Sequence, residues 1–206
     1  MCQPAAFLIM RILFLYLFII FSGLGFQGNK PYLTRWVIIN GCSLKVDGST
    51  NVNNFSCAID NYSRPDTIMV TRYAYQAVQL SGNIQLEVQK FDCHNLIMTA
   101  DVRKTLKAKE FPALIIRFIS LSKHPDNDTR QDIIKGMVII ELAGVSKRFE
   151  VEYKVVSAES TYINLVGSRK VNFSDFNLIP PRKLGGMIRT NNQLSVEFNL
   201  RIKVID

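Results

Sequence analysis

The sequence contains few of the residues and motifs that carry enzyme chemistry. Histidine occurs only twice in 206 residues, as His94 and His124, and neither stands in a His-x-x-x-His or Cys-x-x-Cys spacing typical of metal sites. A Gly-x-Ser-x-Gly nucleophile elbow is also absent. Cys93 directly precedes His94, but neighbouring side chains on an extended chain point to opposite faces. We therefore expect no enzyme activity, no cofactor and no metal site.

The amino-terminal segment has the order of a secretory signal peptide. Arg11 precedes an apolar run over residues 12–21, and small residues up to Gly25 follow it. We expect residues 1–25 to be removed, and residues 26–206, which contain no linker or repeat, to form a single periplasmic or secreted domain. The alternative is an uncleaved anchor, although the run is shorter than the roughly 20 residues that span a bilayer. No cysteine follows the run where a lipoprotein would be acylated.

The charge of the exported part is basic, with 24 Lys and Arg against 17 Asp and Glu, a net charge of +7. A basic balance is typical of proteins that bind nucleic acid or anionic membranes. Export makes nucleic acid a poor partner, so weak contact with an anionic membrane is the partner that the charge favours. No feature of the sequence indicates an oligomeric state.

Alternating apolar and polar residues predict many one-sided strands. In the clearest case, apolar residues occupy every second position from Leu194 to Val204. Residues 84–88 and 149–155 repeat the pattern, and further predicted strands cover residues 36–39, 44–46, 54–59, 68–75, 114–121, 137–142 and 162–173. Such a set predicts either a sandwich or a closed barrel, and the length of the last strand favours the barrel.

One amphipathic helix interrupts the strands. Met98, Val102 and Leu106 are spaced by four residues and therefore share one face of a helix, and Phe111 with Pro112 ends the helical pattern. The apolar face has to pack on another element. We therefore predict a short helix laid over an open end or a face of the sheet.

The cysteines allow one disulfide. Removal of the signal would leave Cys42, Cys57 and Cys93. Cys57 and Cys93 each end a strand-like run, whereas Cys42 lies in an Asn-Gly-Cys-Ser turn, so we favour a Cys57–Cys93 bridge in an oxidising compartment. The alternative is that all three are reduced.

Five segments carry a resemblance to a known family. Residues 43–57 contain a Gly-Ser-Thr-Asn-Val turn before a Phe-x-Cys strand, which is the most specific piece. The others are Asp-Cys-His-Asn at residues 92–95, Leu-Lys-Ala-Lys-Glu-Phe-Pro at 106–112, Leu-Ala-Gly-Val-Ser-Lys at 142–147, and Val-Asn-Phe-Ser-Asp-Phe at 171–176. Together they resemble the YceI-like family of secreted lipid-binding barrels of bacteria, and more closely its divergent Bacteroidetes members.

The resemblance implies an all-β fold, an antiparallel eight-stranded lipocalin-like barrel with one short capping helix. It also implies binding, without turnover, of a lipid or isoprenoid-like small molecule, which in characterised relatives is a polyisoprenoid. If the barrel is hollow, its lining should come from the apolar face of the strands and from the cap. The candidates are Phe118, Phe149, Tyr153, Phe173, Phe198 and Leu200 in the barrel, and Met98, Val102 and Leu106 on the cap helix.

Our leading hypothesis is an exported barrel that holds an amphiphilic lipid-like ligand for transport or storage. The rival is a non-catalytic structural or interaction barrel with a filled core that docks a partner or a membrane surface. A third hypothesis is a hydrolase or isomerase acting on a lipid inside the barrel, which would need a buried polar group beside the cavity. Glu141 and Asp175 are its first candidates.

Overall fold

The structure, a computed structural model, describes residues 30–73, 77–126 and 128–205. The predicted signal peptide therefore lies outside the described residues. The strands are β1 Tyr32–Ile38, β2 Cys42–Ser49, β3 Asn54–Tyr62, β4 Thr67–Arg72, β5 Val78–Glu87, β6 Ala113–Leu121, β7 Ile134–Leu142, β8 Val145–Ala158, β9 Tyr162–Asn172, β10 Arg182–Lys183, β11 Ile188–Arg189 and β12 Gln193–Ile205. The helix α1 is Leu96–Thr105, and short 3₁₀ turns cover Val88–Lys90, Phe173–Phe176 and Leu184–Gly186.

The sheet closes on itself through the pairing of β1 with β12. Antiparallel neighbours follow the order β1, β4, β5, β6, β7, β8, β9 and β12, and Trp36 of β1 lies opposite Val204 of β12. Because β1 is hydrogen-bonded to β4 on its other edge, the ring of eight strands is complete. The predicted all-β, eight-stranded antiparallel barrel with one helix is confirmed, and the sandwich is excluded.

Strands β2 and β3 lengthen this ring rather than adding to it. The edge of β12 that faces β1 at residues 202–205 faces β2 at residues 195–199. Strands β1 and β2 therefore lie end to end along β12, and β4 and β3 lie end to end beside them. The first four strands therefore form one wall along the barrel from two collinear pairs, β1 with β4 and β2 with β3.

The break between β1 and β2 requires a glycine. Gly41 has a φ of +93°, and a Cβ at this position would lie 2.7 Å from Nη1 of Arg201. Cys42, the next residue, is a buried free thiol that donates to the carbonyl oxygen of Ile39 at 3.2 Å and accepts from the Arg201 N–H at 3.1 Å. Burial raises the pKa of the Cys42 thiol, although the Arg201 N–H and charge oppose this.

Two predicted strands end earlier than their apolar patterns suggest. The strand predicted over residues 68–75 ends at Arg72. The strand predicted over residues 162–173 ends at Asn172, because Asp175 accepts a hydrogen bond from the Asn172 N–H at 2.8 Å and begins a 3₁₀ turn. Phe173 is therefore a turn residue, although it remains buried.

The end of the barrel that contains β1 and β4 is filled by large side chains. We call it the filled end and define it by Trp36, Ile68, Ile134, Tyr153 and Ile202, each at most 3% exposed. The Tyr153 ring occupies space that two glycines leave free, since a Cβ on Gly136 or on Gly167 would lie 2.5 or 2.6 Å from it. Glycine on the neighbouring strands therefore makes room for an aromatic ring at the barrel axis.

The helix α1 lies at the other end, anchored by its flanking chain. Asn95 caps it by accepting a hydrogen bond from the Met98 N–H at 3.0 Å, and the hydroxyl of buried Thr99 accepts from the Cys93 N–H at 3.0 Å. A disulfide joins Cys93 to Cys57 of β3, which confirms the predicted bridge. Among the described residues, no helix is long and apolar enough to span a bilayer.

Candidate ligand cavity

A cavity of about 390 Å³ lies between α1 and the barrel mouth at the end opposite the filled end. We call this the cavity end. Strands β2 and β12 form one wall with Leu44, Val46, Leu194, Val196 and Phe198. These residues alternate with exposed or half-buried polar ones along each strand, so the predicted period of two directs them inward.

The helix supplies the facing wall. Met98, Val102 and Leu106, which the spacing of four places on one face, all line the cavity. Phe173 and Phe176 from the 3₁₀ turn after β9 complete this side. The amphipathic stripe on α1 is therefore partly used to enclose empty space, not only to pack on the sheet.

The floor of the cavity is formed by Leu44 and Phe198. Both also border a second void of about 20 Å³ that reaches toward the filled end. Such a void has room for about one water molecule. From Leu44 to Thr50 at the mouth, β2 runs six residues, roughly 20 Å along the strand. The barrel is therefore hollow for only part of its length.

The mouth is polar. Asn53, Asn95 and Thr50 lie on its edge, and Lys183 of β10 makes an ion pair with Asp101 of α1. The ion pair joins the cap helix to the β10–β11 hairpin across the opening. The cavity thus has apolar walls and a rim of amide, hydroxyl and charged groups, which is the arrangement that an amphiphile requires.

The β10–β11 hairpin is held in place by the β2–β3 turn. The Asn51 N–H donates to the Arg189 carbonyl oxygen at 3.1 Å, and the Arg189 N–H donates to Oδ1 of Asn51 at 2.8 Å. The Asn51 side-chain amide also donates to the Met187 carbonyl oxygen at 2.9 Å. The Thr-Asn-Val-Asn turn of the family-like motif at residues 50–53 therefore positions one side of the mouth.

The six predicted barrel-lining residues are distributed over three places. Phe173 and Phe198 line the cavity. Phe118, Tyr153 and Leu200 border the small void below it. Phe149 borders neither of these two spaces and instead packs against Phe176, with ring centroids 5.8 Å apart. Contact of any of these residues with a ligand stays a prediction.

Several wall residues were not predicted from the sequence. Val46, Phe55, Leu194 and Val196 line the cavity but are only partly buried. The alternation of the strands could have found them, because they share a face with residues that were predicted. The sequence contains no signal for which end of each strand borders the hollow part.

The polar candidates for catalysis lie away from the cavity. Glu141 pairs with Arg117 at 2.8 Å on the outer surface. Asp175 pairs with Lys147 at 2.5 Å and caps the turn at Asn172. Burial alone would raise the pKa of Asp175, but hydrogen bonds from Lys147 and Asn172 outweigh it and lower that pKa. Neither carboxylate lines the cavity.

The titratable groups at the cavity are few. Asp101 and Lys183 are the charged residues of its lining and pair with each other, while Cys57 is held in the disulfide. His94 lies on the surface 4.0 Å from Asp92. Within the described part of the chain, no group of three or more His, Cys, Asp or Glu side chains could hold a metal ion. The apolar walls can exclude water and enclose a chain.

The closed antiparallel ring and the apolar space under its helix define a lipocalin-like barrel with room for one small ligand. No protein-family model and no curated protein sequence matches the chain. Among solved structures, the chain is similar to BcnA of Burkholderia cenocepacia, with a TM-score of 0.59 and 15% identity over 80% of this chain and 96% of that one.

A polyisoprenoid binding domain from Saccharophagus degradans, implicated in plant cell wall breakdown, superposes with a TM-score of 0.58 and 12% identity. The match covers 84% of this chain and all of that one. A YceI protein of Campylobacter jejuni gives a TM-score of 0.46 at 13% identity, over 62% of this chain and 72% of its own. The first two similarities confirm the fold that the resemblance to the YceI-like family implies.

Proposed function

We propose that the chain is a divergent member of the YceI-like family that binds an amphiphilic, lipid-like molecule in its cavity without chemical turnover. The observation that carries the proposal is the cavity itself, about 390 Å³ of apolar-walled space under α1. Each methylene moved from water into such a space contributes about 0.8 kcal/mol. A ligand with a saturated or isoprenoid chain therefore fits the walls, and a polar ligand does not.

The fold supports the same class of ligand. The S. degradans structure that shares this fold is described as a polyisoprenoid binding domain. The described chain places the family-like motif at residues 50–53 on the cavity mouth. An isoprenoid or fatty chain is accordingly the first ligand to test.

The length of the cavity limits the chain that it can enclose. The floor at Leu44 and Phe198 stops the ligand partway along the barrel. A cavity of this size lies at the lower end of the range for small-molecule sites, about 300 to 1,000 Å³. The ligand is thus a single short chain or the end of a long one, and its head group remains at the polar mouth near Lys183.

Transport or storage in an oxidising compartment is the role that we infer. The Cys57–Cys93 disulfide is typical of exported proteins. Together with the predicted signal peptide over residues 1–25, it favours a periplasmic or secreted domain over residues 26–206. An apolar chain needs shelter from water in that compartment, and a closed barrel provides it.

Native mass spectrometry of the protein purified from its own cells, followed by organic extraction, tests the proposal. We expect a stoichiometric lipid-like species on the parent protein. The Val196→Trp variant, which places a large ring in the cavity wall, should lose that species. Val156→Trp is the matched control, because Val156 is an exposed residue on β8 away from the cavity.

A clean apo mass that stays unchanged after incubation with lipid extract would contradict the proposal and favour the filled, structural barrel. Retention of the lipid by Val196→Trp at the level of Val156→Trp would show that it binds elsewhere. Altered lipid products that appear only with the parent protein would instead support an enzyme.

A further inference from the structure

The cavity mouth is surrounded by large apolar side chains that contact water. Leu96, Ile97, Val52, Leu184 and Met187 are between 64% and 90% exposed. They come from three elements that meet at the mouth, namely the start of α1, the β2–β3 turn and the tip of the β10–β11 hairpin. We call these five residues the apolar rim. Such clustered exposure marks an interaction surface.

The part of the apolar rim on the β10–β11 hairpin projects from the barrel. At the hairpin tip, Gly185 and Gly186 have φ angles of +64° and +97°, and a Cβ on either would meet no atom within 4 Å. The tip is nevertheless held in place, because Asn51 hydrogen-bonds to both Met187 and Arg189. Leu184 and Met187 are therefore presented outward on a fixed hairpin whose two tip glycines have open space beside them.

The charged residues beside the apolar rim are mainly positive. Residues 96–109 and 182–189 contain seven Lys and Arg and one Asp. Within the hairpin, Arg182 and Arg189 lie directly opposite each other in the β10–β11 ladder. Like charges in that position destabilise a hairpin, and no ion pair joins either arginine to a described acidic residue. The Arg189 Nε–H donates to the Gly186 carbonyl oxygen at 2.9 Å, and both guanidinium charges are therefore open to an anionic partner.

The β6–β7 loop and the β8–β9 turn, at the opposite end of the barrel, have apolar exposure without this charge. Val156 and Tyr162 are 57% and 44% exposed at the β8–β9 turn. The loops there, residues 122–133 and 158–161, contain two Lys and Arg against four Asp and Glu. Apolar exposure combined with strong positive charge therefore distinguishes the cavity mouth from these two loops, and it is the combination typical of binding to anionic lipid surfaces.

We propose that the apolar rim and the basic residues beside it dock the cavity end onto an anionic lipid bilayer. Leu184, Met187 and the start of α1 enter the interface between head groups and acyl chains, while Arg182 and Arg189 bind lipid phosphates. The mouth then faces the membrane, and an apolar chain can pass between bilayer and cavity without crossing water. That this docking serves ligand transfer rests on the proposed function, whereas the docking itself is measured without a bound ligand.

Co-sedimentation of the purified protein with vesicles tests the proposal. We expect binding to vesicles of equal parts phosphatidylglycerol and phosphatidylcholine, weaker binding to pure phosphatidylcholine, and a fall in binding as salt rises. Arg182→Gln combined with Arg189→Gln should weaken the binding about 30-fold, at about 1 kcal/mol for each basic side chain near the surface. Leu184→Ser combined with Met187→Ser should weaken it about tenfold or more.

The matched control is Val156→Ser combined with Tyr162→Ser, which removes two exposed apolar residues from a turn at the opposite end and should bind as the parent does. All variants share the amino terminus of the purified parent protein, so any binding through it is equal in all of them. The proposal would be overturned if the arginine double variant and the Leu184 and Met187 double variant both bound as the parent does. An equal loss of binding in the control would overturn it as well. Because Leu184, Met187, Arg182 and Arg189 do not line the cavity, these variants should retain extractable ligand, so docking and cargo binding can fail separately.

Discussion

The two ends of this barrel share most of their strands but differ in the rest of the wall and in what fills the interior. The filled end contains β1 and β4, and its Tyr153 ring takes up the space that glycines on neighbouring strands leave free. The cavity end contains β2 and β3 instead, and the paired residues Val46 and Val196 face the cavity there. The comparison associates the hollow part of a small barrel with small inward side chains and with a change in the strands that form its wall.

The largest expected effect tests what holds the cavity end together. Replacing Cys57 and Cys93 by Ser removes a bridge across 36 residues, and we expect a loss of about 4 kcal/mol in the free energy of unfolding. Hydrogen exchange measured by mass spectrometry should rise first in α1 and β3, while peptides containing Trp36 stay protected. Equal loss of protection at both ends would contradict the view that the two ends are separately stabilised.

A pair of truncations on one strand compares the packing of the two ends directly. Ile202 of β12 is 1% exposed at the filled end, so Ile202→Ala should cost about 3 kcal/mol in urea denaturation. Leu194 of the same strand borders the cavity, where the removed atoms leave existing space only slightly larger. Leu194→Ala should therefore cost about 1 kcal/mol. Similar losses of unfolding free energy in the two variants would mean that Leu194 is as tightly packed as Ile202. The cavity would then be absent in solution.

Adding a methyl group to an inward glycine should also destabilise the filled end more than the cavity end. In Gly167→Ala the new Cβ would lie 2.6 Å from the Tyr153 ring, which is 3% exposed and borders only the void of about 20 Å³, so we expect a loss of about 2 kcal/mol. In Gly48→Ala the new Cβ meets the far end of Phe55, which borders the cavity and can turn into it. The loss there should stay below about 1 kcal/mol. Thermal or urea unfolding of both variants measures the difference, and a larger loss for Gly48→Ala would contradict it.

The smallest expected effect is a pH dependence confined to the filled end. Burial first, and then the charge of Arg72, lower the pKa of His124 to about 4, while Asp126 opposes the shift. The unfolded chain takes up this proton near pH 6.5, so stability should fall as the pH falls from about 6.5 to about 4. We expect a loss on the order of 1 to 2 kcal/mol, since the side chain is partly exposed.

The matched variant for this prediction is His124→Phe. It keeps a ring beside Trp36, whose centroid lies 5.9 Å from that of His124, and removes the proton. The unfolding midpoint of the variant should depend less on pH between about 6.5 and 4 than that of the parent. An unchanged pH dependence would assign the effect to other groups.

Most of the barrel could be predicted from alternation, because one-sided strands produce a period of two that reads directly from the sequence. The stripe of Met98, Val102 and Leu106 likewise predicted the helix and its inward face. The ends of the strands were less predictable, as at Asn172, where a side-chain hydrogen bond from Asp175 decides the boundary. The disulfide was predicted correctly, although its premise was wrong, because Cys57 lies within β3 and Cys93 follows the 3₁₀ turn after β5.

The cavity itself could not be located from the sequence. Phe149 and Phe198 have the same inward-facing pattern, yet only Phe198 lines the hollow part. Their surroundings depend on strands far apart in sequence and on the stagger of the barrel, which a single strand does not encode. Aromatic size was also a poor guide, since Val46 and Val196 line the cavity whereas Phe149 does not.

The position of β12 determines when this barrel can fold. It is hydrogen-bonded to β9 on one edge and to both β1 and β2 on the other, so it joins the first and last strands of the ring. Until β12 has been synthesised, β1 and β9 keep open edges, and the longest-range contacts of the fold cannot form. Closure is therefore a late and slow step dominated by contacts between distant parts of the chain, and in the meantime the unfinished sheet is exposed to pairing with other chains.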